Sequence, residues 1–171
     1  MWGVPFHNGE AITSYAVQLR NPGTYEWTSS STSINSTTTT YTVLSLGPNS
    51  VYEFQVQAYN SNGAGAWSAS AIGTTQAALP GQPIDVVGTN PTLSSVDLSW
   101  TAPSSGGLTT TQYTVYIQHG VGMWDNGTAT GSGSTSYTVT GLVAGVSYRF
   151  KVSATNSLGA GAIGPASAVV R

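Results

Sequence analysis

The side chains able to do chemistry are few and scattered. The chain carries two His, His7 and His119, and six acids: Glu10, Glu26, Glu53, Asp85, Asp97 and Asp125. Metal binding and acid–base catalysis place such groups at short, fixed spacings, such as two His four apart or acids alternating along a calcium loop. None of these spacings occurs. His7 and Glu10 are near neighbours in a polar loop but lack a third group. With no Cys in the chain, a disulfide framework and a Cys-based metal site are both excluded. The residues assign no catalytic role, no metal and no cofactor.

Two glycine-rich stretches, Gly63-Ala64-Gly65 and Gly159-Ala160-Gly161, each join two strands rather than a strand and a helix. Without a helix N-terminus they read as turns and not as a phosphate cradle. One further arrangement has the residue types of a binding face. Tyr116, Arg149 and Lys151 point outward from strands expected to be neighbours, with Trp124 at the adjoining edge. An aromatic platform beside cationic donors stacks on a sugar ring or holds an anion. The simpler reading is that Arg149 and Lys151 lay their stems over Tyr116 and keep the surface soluble. The earlier half of the chain has Ala16, Gln18, Glu53 and Gln55 at the corresponding positions, so the feature is not expected to repeat.

These residues are positioned by a unit written twice. Tyr41-Thr42-Val43, Leu46, Tyr52, Phe54, Val56, Ala58 and Asn60 recur as Tyr137-Thr138-Val139, Leu142, Tyr148, Phe150, Val152, Ala154 and Asn156, a uniform shift of 96. Trp2, Pro5, Gly9, Ile12 and Tyr15 recur as Trp100, Pro103, Gly107, Thr110 and Tyr113 with a shift of 98. Tyr148, Phe150, Val152 and Ala154 alternate with Arg149, Lys151 and Ser153, a period of two that sends one set to a buried sheet face. Tyr15, Val17 and Leu19 alternate with polar neighbours in the same way, as do Tyr113, Val115 and Ile117. In the second copy, strands are expected at Ile84–Gly88, around Val96–Trp100, at Thr110–His119, around Trp124–Thr130, and at Ser136–Thr140, Ser147–Asn156 and Ala166–Val170. Ile84, Val86, Val96 and Leu98 are the inward set of the first two. In the first copy, the run Ser29–Thr40 reads as a solvated loop entering a strand at Thr40–Val43. Val51–Asn60 is a strand, Asn60–Gly65 a hairpin turn, and Trp67–Thr74 a last strand. The length and the repeat give a first domain at 1–76, a linker at 77–82 marked by Pro80-Gly81, and a second domain at 83–171.

The Leu six residues before Tyr52 and Tyr148, across a turn, resembles the tyrosine corner of Greek-key sandwiches. With Pro83, Trp100, Tyr113, Leu142, Tyr148 and Asn156-x-x-Gly159, the second domain resembles a complete fibronectin type III module. The first resembles the same module without its opening strands, since only Met1 stands before Trp2. The resemblance implies an all-β chain of two immunoglobulin-like Greek-key β-sandwiches in tandem, with Trp2, Tyr52, Trp100 and Tyr148 as its structural signature. It implies little about activity, because fold does not dictate function. In animal fibronectin the turn corresponding to Asn62-Gly63-Ala64 carries an Arg-Gly-Asp adhesion tripeptide in one module; no Arg-Gly-Asp occurs here.

Only 6% of residues are charged, against about a quarter in typical soluble domains. A polar, nearly uncharged surface suits an extracellular or cell-surface module. The four basic residues are too few and too dispersed for a nucleic-acid backbone. No apolar run is long enough for a transmembrane helix. The start lacks a signal peptide, so any export signal is expected outside this chain. Asn35-Ser36-Thr37 and Asn126-Gly127-Thr128 fit the glycosylation acceptor pattern, which a chain rich in Asn, Ser and Thr also produces by chance. The expected role is non-catalytic spacing or adhesion within a longer repeat protein, toward a protein or glycan partner. The alternatives are a carbohydrate-binding accessory of a secreted enzyme, or a subunit of a fibre or phage-tail-like assembly. The missing opening strands lead to the expectation that the first domain is not self-sufficient and associates through its exposed strand edges.

Overall fold

The computed structural model describes residues 1–171, which divide into two compact units, Met1–Gln76 and Ala77–Arg171. The first unit is a single antiparallel sheet. Its strands are β1 (Ser14–Arg20), β2 (Thr28–Asn35), β3 (Val51–Asn60), β4 (Gly63–Trp67) and β5 (Ala71–Thr74). The order is β2-β1-β3, with β4 on one half of β3 and β5 on the other. Tyr15 lies opposite Ala58, Val17 opposite Val56 and Leu19 opposite Phe54. A small core forms from Tyr15, Val17 and Ile34, with Trp2, Ile12, Val43, Val56 and Ala58 against it.

Several expectations for this unit change. The Ser/Thr run is strand rather than loop: β2 pairs β1 through two bulges, and its one apolar residue, Ile34, sits opposite Tyr15 and is buried. β-branched Thr suits such an edge strand. Thr40–Val43, conversely, is not a strand. Its expected partner is the stretch before Trp2, and residues 1–76 contain only Met1 there. What remains is one hydrogen bond, from the Trp2 N–H to the Thr39 carbonyl at 2.9 Å. The hairpin turn shortens to Ser61-Asn62, and the expected last strand splits into β4 and β5. Along β3 the apolar set Tyr52, Phe54, Val56 and Ala58 is only partly buried, because no second sheet lies across from it.

The second unit is a sandwich. One sheet contains β6 (Ile84–Thr89), β7 (Ser95–Thr101) and β10 (Ser136–Thr140), in the order β10-β7-β6. The other contains β8 (Gln112–His119), β9 (Thr128–Ala129), β11 (Tyr148–Asn156) and β12 (Gly159–Ala160), in the order β12-β11-β8-β9. Val86, Val96, Leu98, Trp100 and Val139 of the first sheet meet Tyr113, Val115, Tyr148, Phe150, Val152 and Ala154 of the second. The same alternation that is half-open in β3 is closed here: Phe150, Val152 and Ala154 are 0% exposed. Ile84, expected inward, is 42% exposed. Asp85 adopts a positive φ of 54° and the β6–β7 register shifts between Ile84 and Val87, so parity is lost at the bulge.

Ala166–Val170, expected as a regular strand, is not one; only Val170 makes a β-bridge, to Tyr148. The N–H groups of Gly161, Gly164, Ser167 and Val170 donate to the carbonyls of Ala154, Val152, Phe150 and Tyr148. The segment thus spends three residues for every two of β11. The Phe150 N–H is satisfied by the Ser167 hydroxyl at 3.0 Å. Ala77–Gln82, read from the sequence as a linker, falls within the second unit. The Ala78 and Gly81 N–H groups donate to the Gly106 and Ser104 carbonyls at 2.9 and 2.8 Å.

Candidate functional site

Two structural constellations occur in both units. The first is the aromatic pair: Trp2 meets Tyr15 edge-on with ring centroids 5.2 Å apart, and Trp100 meets Tyr113 at 5.1 Å. The second is the corner. The Gly47 N–H donates to the Tyr52 hydroxyl at 2.9 Å, and the Val143 N–H to the Tyr148 hydroxyl at 2.8 Å. In each case the phenol satisfies a loop N–H that strand pairing cannot reach, and so ties the corner to the following strand.

The candidate ligand face lies on the outer side of β8 and β11. Tyr116 is directly opposite Lys151, Gln118 is opposite Arg149, and Gln118 also bridges to Trp124. The loop carrying Trp124 is held by Asp125, whose Oδ1 accepts the Ile117 and Gly127 N–H groups at 2.9 and 3.0 Å. The Gln118 amide donates to the Gly122 carbonyl. Four of the expected residues are therefore brought together, but not as an open platform. The Lys151 ammonium lies 4.5 Å from the centroid of the Trp124 ring. Gly127 passes so close to Tyr116 that a Cβ on it would lie 2.7 Å from the ring. Ser153, expected outward and polar, is buried with its Oγ 3.4 Å from the Tyr116 hydroxyl. Only Arg149 reaches freely into solvent. A cation over an indole at an exposed site is worth about 0.5–1 kcal/mol, and over the half-buried Trp124 it covers one face of the ring.

The first unit repeats this device, contrary to expectation, with a different cation. Arg20 stacks over Trp27 at 4.4 Å and forms an ion pair with Glu53 at 2.6 Å. The sequence comparison missed it because Arg20 stands at the position of Gln118, not of Lys151.

Taken together, two copies of the corner, the Trp–Tyr pair and the strand sequence define one family. Residues 1–74 and 81–170 both match the fibronectin type III domain. The chain belongs to the fibronectin type III family. Its domains are similar to those of human neogenin, at 31% identity over 74% of this chain and 9% of that protein. Chitinase A1 of Niallia circulans is 33% identical over 79% of this chain and 19% of its own length. Mouse receptor-type tyrosine-protein phosphatase F is 31% identical over 70% and 6%. The chain spans less than a fifth of the length of each of these relatives.

Several titratable groups of these fibronectin type III domains make local contacts. Glu10 accepts from the Ser61 hydroxyl, His119 packs edge-on against Tyr148, and Asp97 accepts from Thr138 and Asn90. No three His, Asp or Glu side chains come together as a metal site. One feature had no signal in the residue types. In the first domain a groove of about 520 Å³ runs between the segment Pro5–Asn8 and the stretch from Asn60 through β4 to Ser68, floored by Trp2, Tyr15, Val56 and Ala58.

Proposed function

We propose that this chain is a non-catalytic spacing and adhesion segment of a longer extracellular or surface protein. The observation that carries the reading is coverage: fibronectin type III domains account for every residue except 75–80 and Arg171. The dispersal of the titratable groups and the low charge support it. The receptor-type name of one relative is in keeping with the setting. The similarity to a chitinase favours one second reading, a carbohydrate-binding accessory that uses Tyr116, Trp124, Arg149 and Lys151.

The full chain applied to a glycan array and to immobilised chitin separates the two. The spacer reading expects no retention, with Trp124→Ala and Tyr116→Ala behaving like the parent chain. Retention that is lost in Trp124→Ala, with the melting curve unchanged, replaces it with the carbohydrate reading.

A further inference from the structure

Two triplets have the form of a glycan acceptor, Asn35-Ser36-Thr37 and Asn126-Gly127-Thr128. Both asparagines are exposed, and residue type does not rank them. Their hydrogen bonds do. Asn35 is the last residue of β2, and its side chain caps the turn that follows. Its Oδ1 accepts the Thr37 N–H and the Thr37 hydroxyl, each at 2.9 Å. Its backbone carbonyl accepts the Thr38 N–H at 3.0 Å. A backbone N–H needs an acceptor opposite it, so the atom facing Thr37 is the amide oxygen and the other is the nitrogen. Nδ2 is thus left without a hydrogen bond on an exposed residue. Two donors on the oxygen draw electron density from the amide, which favours loss of a proton from Nδ2.

At Asn126 the same residue types are committed elsewhere. The Gly127 N–H donates to Asp125 Oδ1 at 3.0 Å, and a Cβ on Gly127 would lie 2.7 Å from both Thr114 and Tyr116. Thr128 belongs to β9 and stands opposite Val115. Two residues on, the Thr130 N–H donates to the Tyr113 carbonyl, and antiparallel alternation gives the Thr128 N–H to Val115 in the same way. Folding Thr128 back onto Asn126 would break that ladder bond. β2 and β9 are both outer strands of their sheets, so the difference lies in the turns and not in how the strands are covered.

We propose that Asn35 is an N-glycosylation site, presented by its folded turn, and that Asn126 is not. In the reaction Nδ2 bonds to the anomeric carbon of a glycosyl diphosphate donor. The bond from that carbon to the diphosphate oxygen breaks, the diphosphate leaves with the electron pair, and the amide proton passes to a base of the transferase. A glycan here stands at the end of a free strand edge. β2 holds no charged residue and no Pro, the usual guards against edge-to-edge pairing, and a bulky hydrated sugar supplies one.

The test treats the full chain with a soluble N-glycosyltransferase that moves glucose from UDP-glucose to Asn-x-Ser/Thr acceptors, and follows each site by peptide mass spectrometry. Asn35 is expected to be modified about tenfold faster than Asn126, the factor that one backbone hydrogen bond is worth. Synthetic peptides spanning Thr32–Thr40 and Met123–Gly131 give the reference without a fold, and there the ratio is expected to fall toward one. Thr37→Ser is expected to retain modification of Asn35 and Thr37→Val to abolish it. Thr37 is exposed, and the peptide arm needs no variant. Equal rates at the two sites of the full chain, or modification of neither, overturn the proposal. So does the same preference in the peptides, which assigns it to local sequence, and so does loss of modification in Thr37→Ser.

Discussion

β3 and β11 carry the same apolar series, Tyr-x-Phe-x-Val-x-Ala, on the central strand of their sheets. In β11 it is sealed under β6, β7 and β10; in β3 it is half-open. The local pattern determines which side chains share a face, but burial belongs to whatever stands opposite. Residues 1–76 offer little beyond Trp2, Ile12, Ile34 and Val43 to stand there. The same strand series is thus seen once without a facing sheet, within residues 1–76, and once beneath one, within residues 77–171.

The largest effect expected from this contrast is in stability. Val86, Val96 and Leu98 of β6 and β7 are buried in the second domain, and each such side chain contributes roughly 1.5–3 kcal/mol. A deficit of about 5–9 kcal/mol is comparable to the whole stability of a domain. As separate polypeptides, residues 77–171 are expected to melt cooperatively as a monomer, and residues 1–76 to be unfolded or self-associated. Thermal unfolding with light scattering checks this, and a monomeric, cooperative 1–76 breaks the comparison.

Within the intact chain, Phe150→Ala is expected to cost about 3–5 kcal/mol, and Phe54→Ala roughly half that or less, because a cavity term arises only where neighbours close over the ring. Denaturant unfolding followed by amide exchange assigns each loss to its domain. Equal losses would mean that β3 is as well covered as β11. Tyr148→Phe should cost about 1 kcal/mol through the stranded Val143 N–H. Tyr52→Phe should cost less, since water reaches that corner more readily; the two melting curves, compared directly, decide it.

The smallest effect concerns pH. Hydrogen bonds from Thr138, then Asn90, hold the Asp97 carboxyl below its ordinary value. A lowered folded-state pKa contributes stability that is present above the ordinary carboxylate range and lost as pH falls through the lowered value. Asp97→Asn is expected to flatten the acid limb of the second domain alone, measured as melting temperature against pH. An unchanged acid limb rules out the contribution.

Much of this architecture was legible in the residues. Tyr148, Phe150, Val152 and Ala154 alternate without interruption, and the corners and Trp–Tyr pairs sit at repeat positions. What escaped depended on partners rather than pattern. β2 has one apolar residue, so its pairing with Tyr15–Leu19 left no periodic trace. Thr40–Val43 reads as a strand, yet a strand needs a neighbour. Ile84 lost its parity to a left-handed Asp85. Tyr116, Trp124, Arg149 and Lys151 lie on neighbouring strands and the adjoining loop, but whether Lys151 flanks the indole or covers it is a question of a few ångströms that spacing does not encode.

The three-for-two segment after β12 has a consequence for how the chain tolerates length changes. In a regular strand, inserting one residue turns every later side chain to the opposite face. A segment bonded only at every third residue has no such parity to lose. Val170 bridges to Tyr148 across a separation of 22 residues, whereas Gly73, in the regular β5, pairs with Tyr52 across 21. One domain has absorbed a residue that the other lacks, and the tyrosine at the corner is reached in both.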